Sequence, residues 1–289
     1  YLFFTLLLAG VMQILAGVFK LGKFVRMIPH SVMMGFVNGL AIVIFISQLG
    51  MFKSQGEWLN GDSLFIMMGL VFATMVIMFL LPMVTKKIPA ALTAILAVSF
   101  FVIFSGVETE TVRSFILSNG GNGIKAGLPT FHFPSVALSV DTLLFVLPYA
   151  SILAAIGLIE SLMTLNLIDE LTDSHGNGNR ECIAQGAANT LNGLFGGMGG
   201  CAMIGQSIIN IKSGGRGRLS GIVASVTLLV FILFGSNLIE QVPIAALVGV
   251  MFMVVIGTFA WSTFKVFNKV PKSDVIVIVL VTGLTVIFD

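Results

Sequence analysis

Uninterrupted apolar runs of 17–25 residues recur along this chain and constrain it more than any other feature. A helix rising 1.5 Å per residue needs about 20 such residues to cross the roughly 30 Å of hydrocarbon in a bilayer. With 57 % hydrophobic and 10 % charged residues, an ordinary soluble domain is excluded. A membrane barrel would alternate over segments of about ten residues, whereas these runs are continuous and rich in Leu, Ile, Val, Met and Phe. The chain reads as an all-α polytopic membrane protein. Tyr1 already lies inside one run and Asp289 ends another, so a portion of a longer protein is expected.

In order, spans are expected at 1–19, 30–52, 64–84 and 88–106, with Pro29 starting the second. Gly35, Asn38 and Gly39 are the small and polar residues that let membrane helices approach one another. A polar segment at 107–140 divides the chain into 1–106 and 141–289. The second half opens with a span over 142–168 that carries Pro148 and Glu160, followed by the polar loop DELTDSHGNGNRE. A short span at 182–195, a glycine-rich break, a half-helix of about ten residues from Met203 to Lys212, and spans at 219–235, 242–262 and from 274 complete the series.

The 15 basic residues lie in short clusters at span ends, a topology signal rather than a nucleic-acid footprint. Alternation puts Lys20, Lys23, Arg26, Lys86, Lys87, Arg180, Lys212, Arg216, Arg218, Lys265, Lys269 and Lys272 in the cytoplasm. It leaves Lys53, Arg113 and Lys125 outside, with the 107–140 loop. Cys182 and Cys201 have no CxxC spacing and suggest neither a disulfide framework nor a metal centre.

Glu160 is the one acid well inside a span, where a charge costs roughly 2.5–3.5 kcal/mol and usually faces a cavity. Thr164 at i+4 and Gly157 at i−3 share its face, the glycine leaving a gap for another backbone. Glu160, Thr164 and unwound carbonyls suit a sodium ion, and a desolvated Glu could instead carry a proton. The bland alternatives are a protonated Glu160 that only glues helices, and a Thr164 bonded to its own i−4 carbonyl. The run GLFGGMGGCAMIGQS over 193–207 leaves backbone N–H groups without helical partners at the positive end of the half-helix, an anion site that needs no charged side chain. Gly196 and Gly197 read equally well as a small-residue packing pair. Gln206 and Ser207 follow in the first turns as further donors, and His30, His132 and His175 read as span-end or loop residues. An intramembrane enzyme finds no paired aspartates and no serine with a basic partner at depth.

An internal repeat relates 8–45 to 219–259, Pro29 to Gly35 matching Pro243 to Gly249, with the copies in opposite orientations. Inverted repeats with interrupted helices are an architecture of secondary transporters, their site at the midplane.

The runs KLGKFVRMIPHSVMMGFVNGLAI, GLPTFHFP, ESLMT and NRECIAQGAANTLNGLFGGMGGCAMIGQSIINIKSGGRGRLSGI resemble the sulfate permease (SulP) family of anion transporters across essentially the whole chain. The resemblance implies a seven-plus-seven inverted-repeat fold with core and gate subdomains, here truncated to about segments four to thirteen and lacking the other half-helix that faces the site. It implies a multi-pass protein of the cell membrane, a homodimer, and a cytoplasmic STAS domain in the full-length chain. Carried over, the cation-side residues are Glu160 and Thr164, and the anion-coordinating backbone is Gly200, Cys201, Ala202 and Met203, with Ile204 beside them. Gln206 stands where many members have arginine, which favours bicarbonate, whereas Ile204 replaces a threonine of the bicarbonate branch and leaves Na⁺ or H⁺ open. The expected activity is secondary transport of bicarbonate or sulfate, with the site inside 157–207, lipid as surroundings, no nucleic acid and no cofactor beyond Na⁺. A nucleobase proton symporter of the same fold and a prestin-like channel or motor are the alternatives.

Overall fold

The computed structural model describes residues 1–23, 29–54, 57–59, 61–85, 88–124, 127–131, 133, 139–212, 214–266 and 271–288. Arg26, Lys86, Lys87, Lys125, His132, Lys269 and Asp289 lie outside the described residues, as do the side chains of His30, Lys212 and Lys265. The chain divides into two compact units that interleave in sequence, Tyr1–Pro29 with Leu128–Ser225, and His30–Gly127 with Val226–Asp289.

The first unit contains α1 (Leu2–Val18), α6 (Val140–Thr172), α7 (Gly178–Leu194), α8 (Ile204–Lys212) and the start of α9 (Leu219–Glu240). Its main seam joins α1 to α7 through glycines spaced seven apart on both helices. A Cβ on Gly10 would lie 2.7 Å from the Gly186 carbonyl oxygen, and one on Gly186 would lie 2.5 Å from that of Gly10. Gly193 meets Phe3 at one end and Gly17 meets Asn179 at the other, so the helices run antiparallel. Backbones this close need residues without side chains, which is how membrane helices gain packing contact when lipid is as apolar as they are.

α6 is longer than expected. Its 33 residues span about 50 Å and run through the DELT tetrad placed in a loop by polarity. The helix continues because Asp169 turns its carboxylate forward to the Gly176 N–H at 2.8 Å, and Asp173 ends it in the left-handed conformation at φ 51°. Asn177 then caps α7 by accepting from the N–H groups of Asn179 and Arg180.

The second unit contains α2 (His30–Gly50), the hairpin β1 (Lys53–Ser54) and β2 (Glu57–Trp58), α3 (Asp62–Val84), α4 (Ala90–Ser105), α5 (Val112–Ser118), most of α9, then α10 (Ile244–Thr258), α11 (Ser262–Val266) and α12 (Lys272–Phe288). Gly35 receives the backbone of α12, its Cβ position 2.8 Å from the Ile278 carbonyl oxygen, and Gly39 faces Thr285. Asn38 accepts from the Ala260 N–H at 2.9 Å and donates to the Thr263 hydroxyl at 2.9 Å, satisfying the backbone where α10 gives way to α11. The packing roles expected of these three residues are present. Gly249 receives α3 in the same manner, 2.9 Å from the Val71 carbonyl oxygen.

The segment read as a polar loop contains α5 and a two-residue clasp, in which Val112 N–H donates to Val242 O and Ile244 N–H to Glu110 O, each at 2.9 Å. Glu240, 8 % exposed, accepts from the Ile124 N–H at 2.6 Å beside Gly123, whose φ of 85° favours glycine.

Five described helices or helix pairs are long and apolar enough to cross a membrane, and two shorter apolar helices, Leu2–Val18 and Ala90–Ser105, accompany them. Phe65, Phe72 and Phe79 form an exposed stripe along α3, which suits acyl chains and not water.

Candidate functional site

The break begins where α7 is stopped. Gly196 takes a φ of 68°, open to glycine without a Cβ penalty, and the Gly197 N–H returns 2.7 Å to the Asn192 carbonyl in a Schellman turn. These two glycines terminate a helix instead of packing against one. After the irregular stretch to Met203, α8 supplies nine residues, about 13 Å, where a helix of about ten residues was expected. Met203 accepts the first helical bond from the Ser207 N–H but has no side-chain oxygen with which to cap the helix.

Side chains from α6 and α7 grip the break. Gly200 N–H donates to Asn189 Oδ1 at 3.0 Å, and its carbonyl accepts from the Gln185 amide. Ala202 N–H donates to Ser161 Oγ at 3.1 Å, while the Thr164 hydroxyl donates to the Ala202 carbonyl at 2.7 Å. Thr164 therefore reaches across the site and does not satisfy its own helix. The alternation leaves the N–H groups of Cys201 and Met203 without a protein partner among the described residues.

Glu160 meets the break directly, its Oε2 accepting from the Cys201 thiol at 2.8 Å. Thr164, Gly200, Cys201 and Ala202 thus come together with Glu160, and Met203 and Ile204 continue from them into α8. Gln206 is exposed in its first turn with no protein partner among the described residues. Gly157 departs from expectation. Its missing Cβ makes room for the Gln13 side chain, 2.7 Å from that position, not for another backbone.

Four polar residues escaped the sequence reading. Gln13, 0 % exposed, donates to the Ala154 carbonyl at 3.4 Å and accepts from Asn189 Nδ2 at 2.9 Å. Asn189, Ser161 and Gln185 hold the break as described. Gln13 carried the clearest available signal, an amide inside an apolar span, where an unsatisfied polar group costs several kcal/mol.

Chemically, the site offers two halves. A carboxylate, a hydroxyl and backbone carbonyls are hard oxygen ligands of the kind Na⁺ accepts, and the carboxylate can alternatively take a proton. Unpaired N–H groups at the start of α8 face the other way in charge and suit an anion. A Cβ on Gly200 would meet nothing within 4 Å, so no packing in this chain demands glycine there, and open space lies against the break. Further along the same helices, Ile168, Thr172, Ser207 and Ile211 line a cavity of about 470 Å³ bounded by Gly215–Gly217.

A helical, multi-pass membrane protein with an interrupted segment at its polar centre is the class these features define. Residues 1–281 match the sulfate permease family, and the chain belongs to that family, one of transporters and not of enzymes. It is 42 % identical to YbaR of Bacillus subtilis (strain 168) over 289 residues, all of this chain and 58 % of that protein. It is 32 % identical to the bicarbonate transporter BicA of Synechocystis sp. (strain ATCC 27184 / PCC 6803 / Kazusa) over 99 % of this chain and 52 % of that one. The chain therefore spans about half the length of the curated relatives it matches. Its fold is similar to the transmembrane domain of a cyanobacterial BicA, with TM-score 0.83 and 31 % identity over 99 % of this chain and 74 % of that one. SLC26A9 has the same fold at TM-score 0.75 and 14 % identity, over 98 % of this chain and 47 % of that one.

Proposed function

We propose that the chain carries the substrate site of an alternating-access secondary transporter for a small inorganic anion, bicarbonate or sulfate, coupled to Na⁺ or H⁺ through Glu160. The observation that carries this reading is the convergence of Glu160 and Thr164 with the backbone of Cys201 and Ala202 just before a half-helix. Cation and anion would bind on adjoining surfaces, so each screens the other, and the site would be stable when both or neither are present. That is the condition for coupled transport.

In this reading the anion lies against Gly200, Cys201, Ala202 and Met203, with Gln206 at its edge, and the cation near Glu160, Thr164 and Ile204. The family name and the BicA relatives favour sulfate and bicarbonate respectively. The neutral Gln206 leans toward the singly charged anion. The unit that contains the site is the core, and the other is the gate.

The seven-plus-seven inverted repeat, with this chain as segments four to thirteen, draws support from packing. Pairing α2 with α10, as the internal repeat directs, and extending the pairing to the later helices α3 and α12, exchanges the α2–α12 contact for the α10–α3 contact, and both are major seams of the second unit. Pro29 and Pro243 each precede a helix whose sixth residue onward, Gly35 or Gly249, admits a neighbouring backbone. A homodimer in the cell membrane with a cytoplasmic STAS domain completes the proposal for the full-length protein.

The test is uptake of labelled bicarbonate and labelled sulfate by full-length protein in liposomes, under imposed Na⁺ and pH gradients. Gradient-driven accumulation of either anion is the expected result. Uracil-competed uptake with neither anion carried would point to a nucleobase symporter and overturn the reading, as would anion currents without coupling.

A further inference from the structure

We propose that Gln13 and Asn189 form a buried amide relay that positions the glycine break, making α1 part of the anion site although it does not touch the ligand; the anion role rests on the transport reading above. Gln13 and Asn189 are 0 % and 2 % exposed, and their hydrogen bonds run in one direction. The Ala154 carbonyl can only accept, so Gln13 must turn Nε2 toward it and Oε1 toward Asn189. Asn189 must then give Nδ2 to Gln13 and present Oδ1 to the Gly200 N–H. A carbonyl on α6 thereby dictates the orientation of a backbone N–H in the break.

The surroundings are shaped for this relay. Gly157 leaves the notch that Gln13 fills, and each amide lies three residues beyond a seam glycine, Gln13 after Gly10 and Asn189 after Gly186. The close α1–α7 approach therefore sets the distance that the two side chains must span.

The relay also decides which donors face a ligand. With Gly200 N–H committed to Asn189 and Ala202 N–H to Ser161, the N–H groups of Cys201 and Met203 are left for the anion. Loss of the relay leaves Gly200 restrained only through its carbonyl, by Gln185, and unsettles that pair. Gln13 and Asn189 are accordingly positioning residues, and their substitution should weaken anion binding more than turnover.

The experiment uses full-length protein in liposomes with labelled sulfate and labelled bicarbonate as probes. Gln13→Met, similar in volume but without the amide, should raise KM about tenfold with maximal rate within twofold of wild type. Gln13→Asn, one methylene short, should raise KM several-fold, and adding Asn189→Gln should restore most of the loss by recovering the combined length. A purely structural role would lower Tm and leave KM alone. A second readout needs no substrate: in a Cys182→Ala background, Cys201 should react with a maleimide several-fold faster in Gln13→Met. If wild type carries neither anion, the transport reading fails while the thiol rate still tests the relay. If KM and the Cys201 rate both stay at wild-type values in well-folded Gln13→Met, the relay is wrong.

Discussion

Thr164→Val removes one hydroxyl from the centre of the site and leaves the helix otherwise as it is. Thr164 is 3 % exposed, and its bond to the Ala202 carbonyl is 2.7 Å long, so the loss leaves a carbonyl oxygen facing an apolar methyl. Hydrogen bonds between membrane helices average about 0.6 kcal/mol in double-mutant cycles and reach about 1.7. If that energy holds Ala202 in its ligand-bound place, anion KM rises about three- to fifteen-fold at 1.4 kcal/mol per decade. Ser161 still holds the Ala202 N–H, so the break is loosened and not released. Thr164→Ser, which keeps the hydroxyl, should fall within about twofold of wild type. Thr164→Val with Ser161→Ala should be non-additive, because both side chains restrain one residue. The assay is the concentration dependence of gradient-driven uptake in liposomes, with thermal unfolding of each variant in detergent alongside. An unchanged KM in a folded Thr164→Val protein would mean that the bond serves packing alone.

Gly200→Val should abolish most uptake, because its side chain enters the space against the break; Gln206→Ala should cost less than threefold, and the reverse order would argue against a backbone-based anion site. Gly186→Val drives a side chain into the backbone of α1 and should cut the yield of monodisperse protein sharply, whereas Gly257→Ala, with nothing within 4 Å, should leave Tm unchanged or raised. In the second unit, Glu240→Ala strands the Ile124 N–H and should destabilise by about 1–3 kcal/mol. Arg113, 69 % exposed and 3.9 Å from Glu240, should cost under about 1 kcal/mol when replaced by alanine, both read as shifts in Tm.

The short helix α8, the break and the acid that meets it were legible because each stands out against the rules of the bilayer. A lone Glu in an apolar span, a glycine run between apolar segments and a helix of nine residues are visible exceptions to an otherwise uniform pattern. Pro29 and Pro243 marked helix starts for a local reason, since proline ends one helix and can begin another. The continuation of α6 through DELT was not legible, because it depends on Asp169 reaching forward to Gly176, a turn that polarity alone cannot distinguish from a loop. Likewise, α5 and its clasp to Val242 join residues more than a hundred positions apart. Gln13 and Asn189 belong to the same category. Each is one neutral amide, and their meaning lies in mutual geometry set by glycine seams. Glycine spacing of seven in α1 and α7 was present to be read, and would have put the two amides at one depth.

Whether Glu160 couples transport to a cation gradient is decided by Glu160→Gln. The substitution keeps shape and hydrogen-bonding capacity while removing the charge and the proton-binding oxygen, so the Cys201 thiol still finds an acceptor. In full-length protein reconstituted in liposomes, uptake driven by a Na⁺ or pH gradient should be lost while the protein remains folded. Gradient-coupled accumulation at the wild-type level would contradict the account, and Glu160 would then be a structural residue beside a site that works without it.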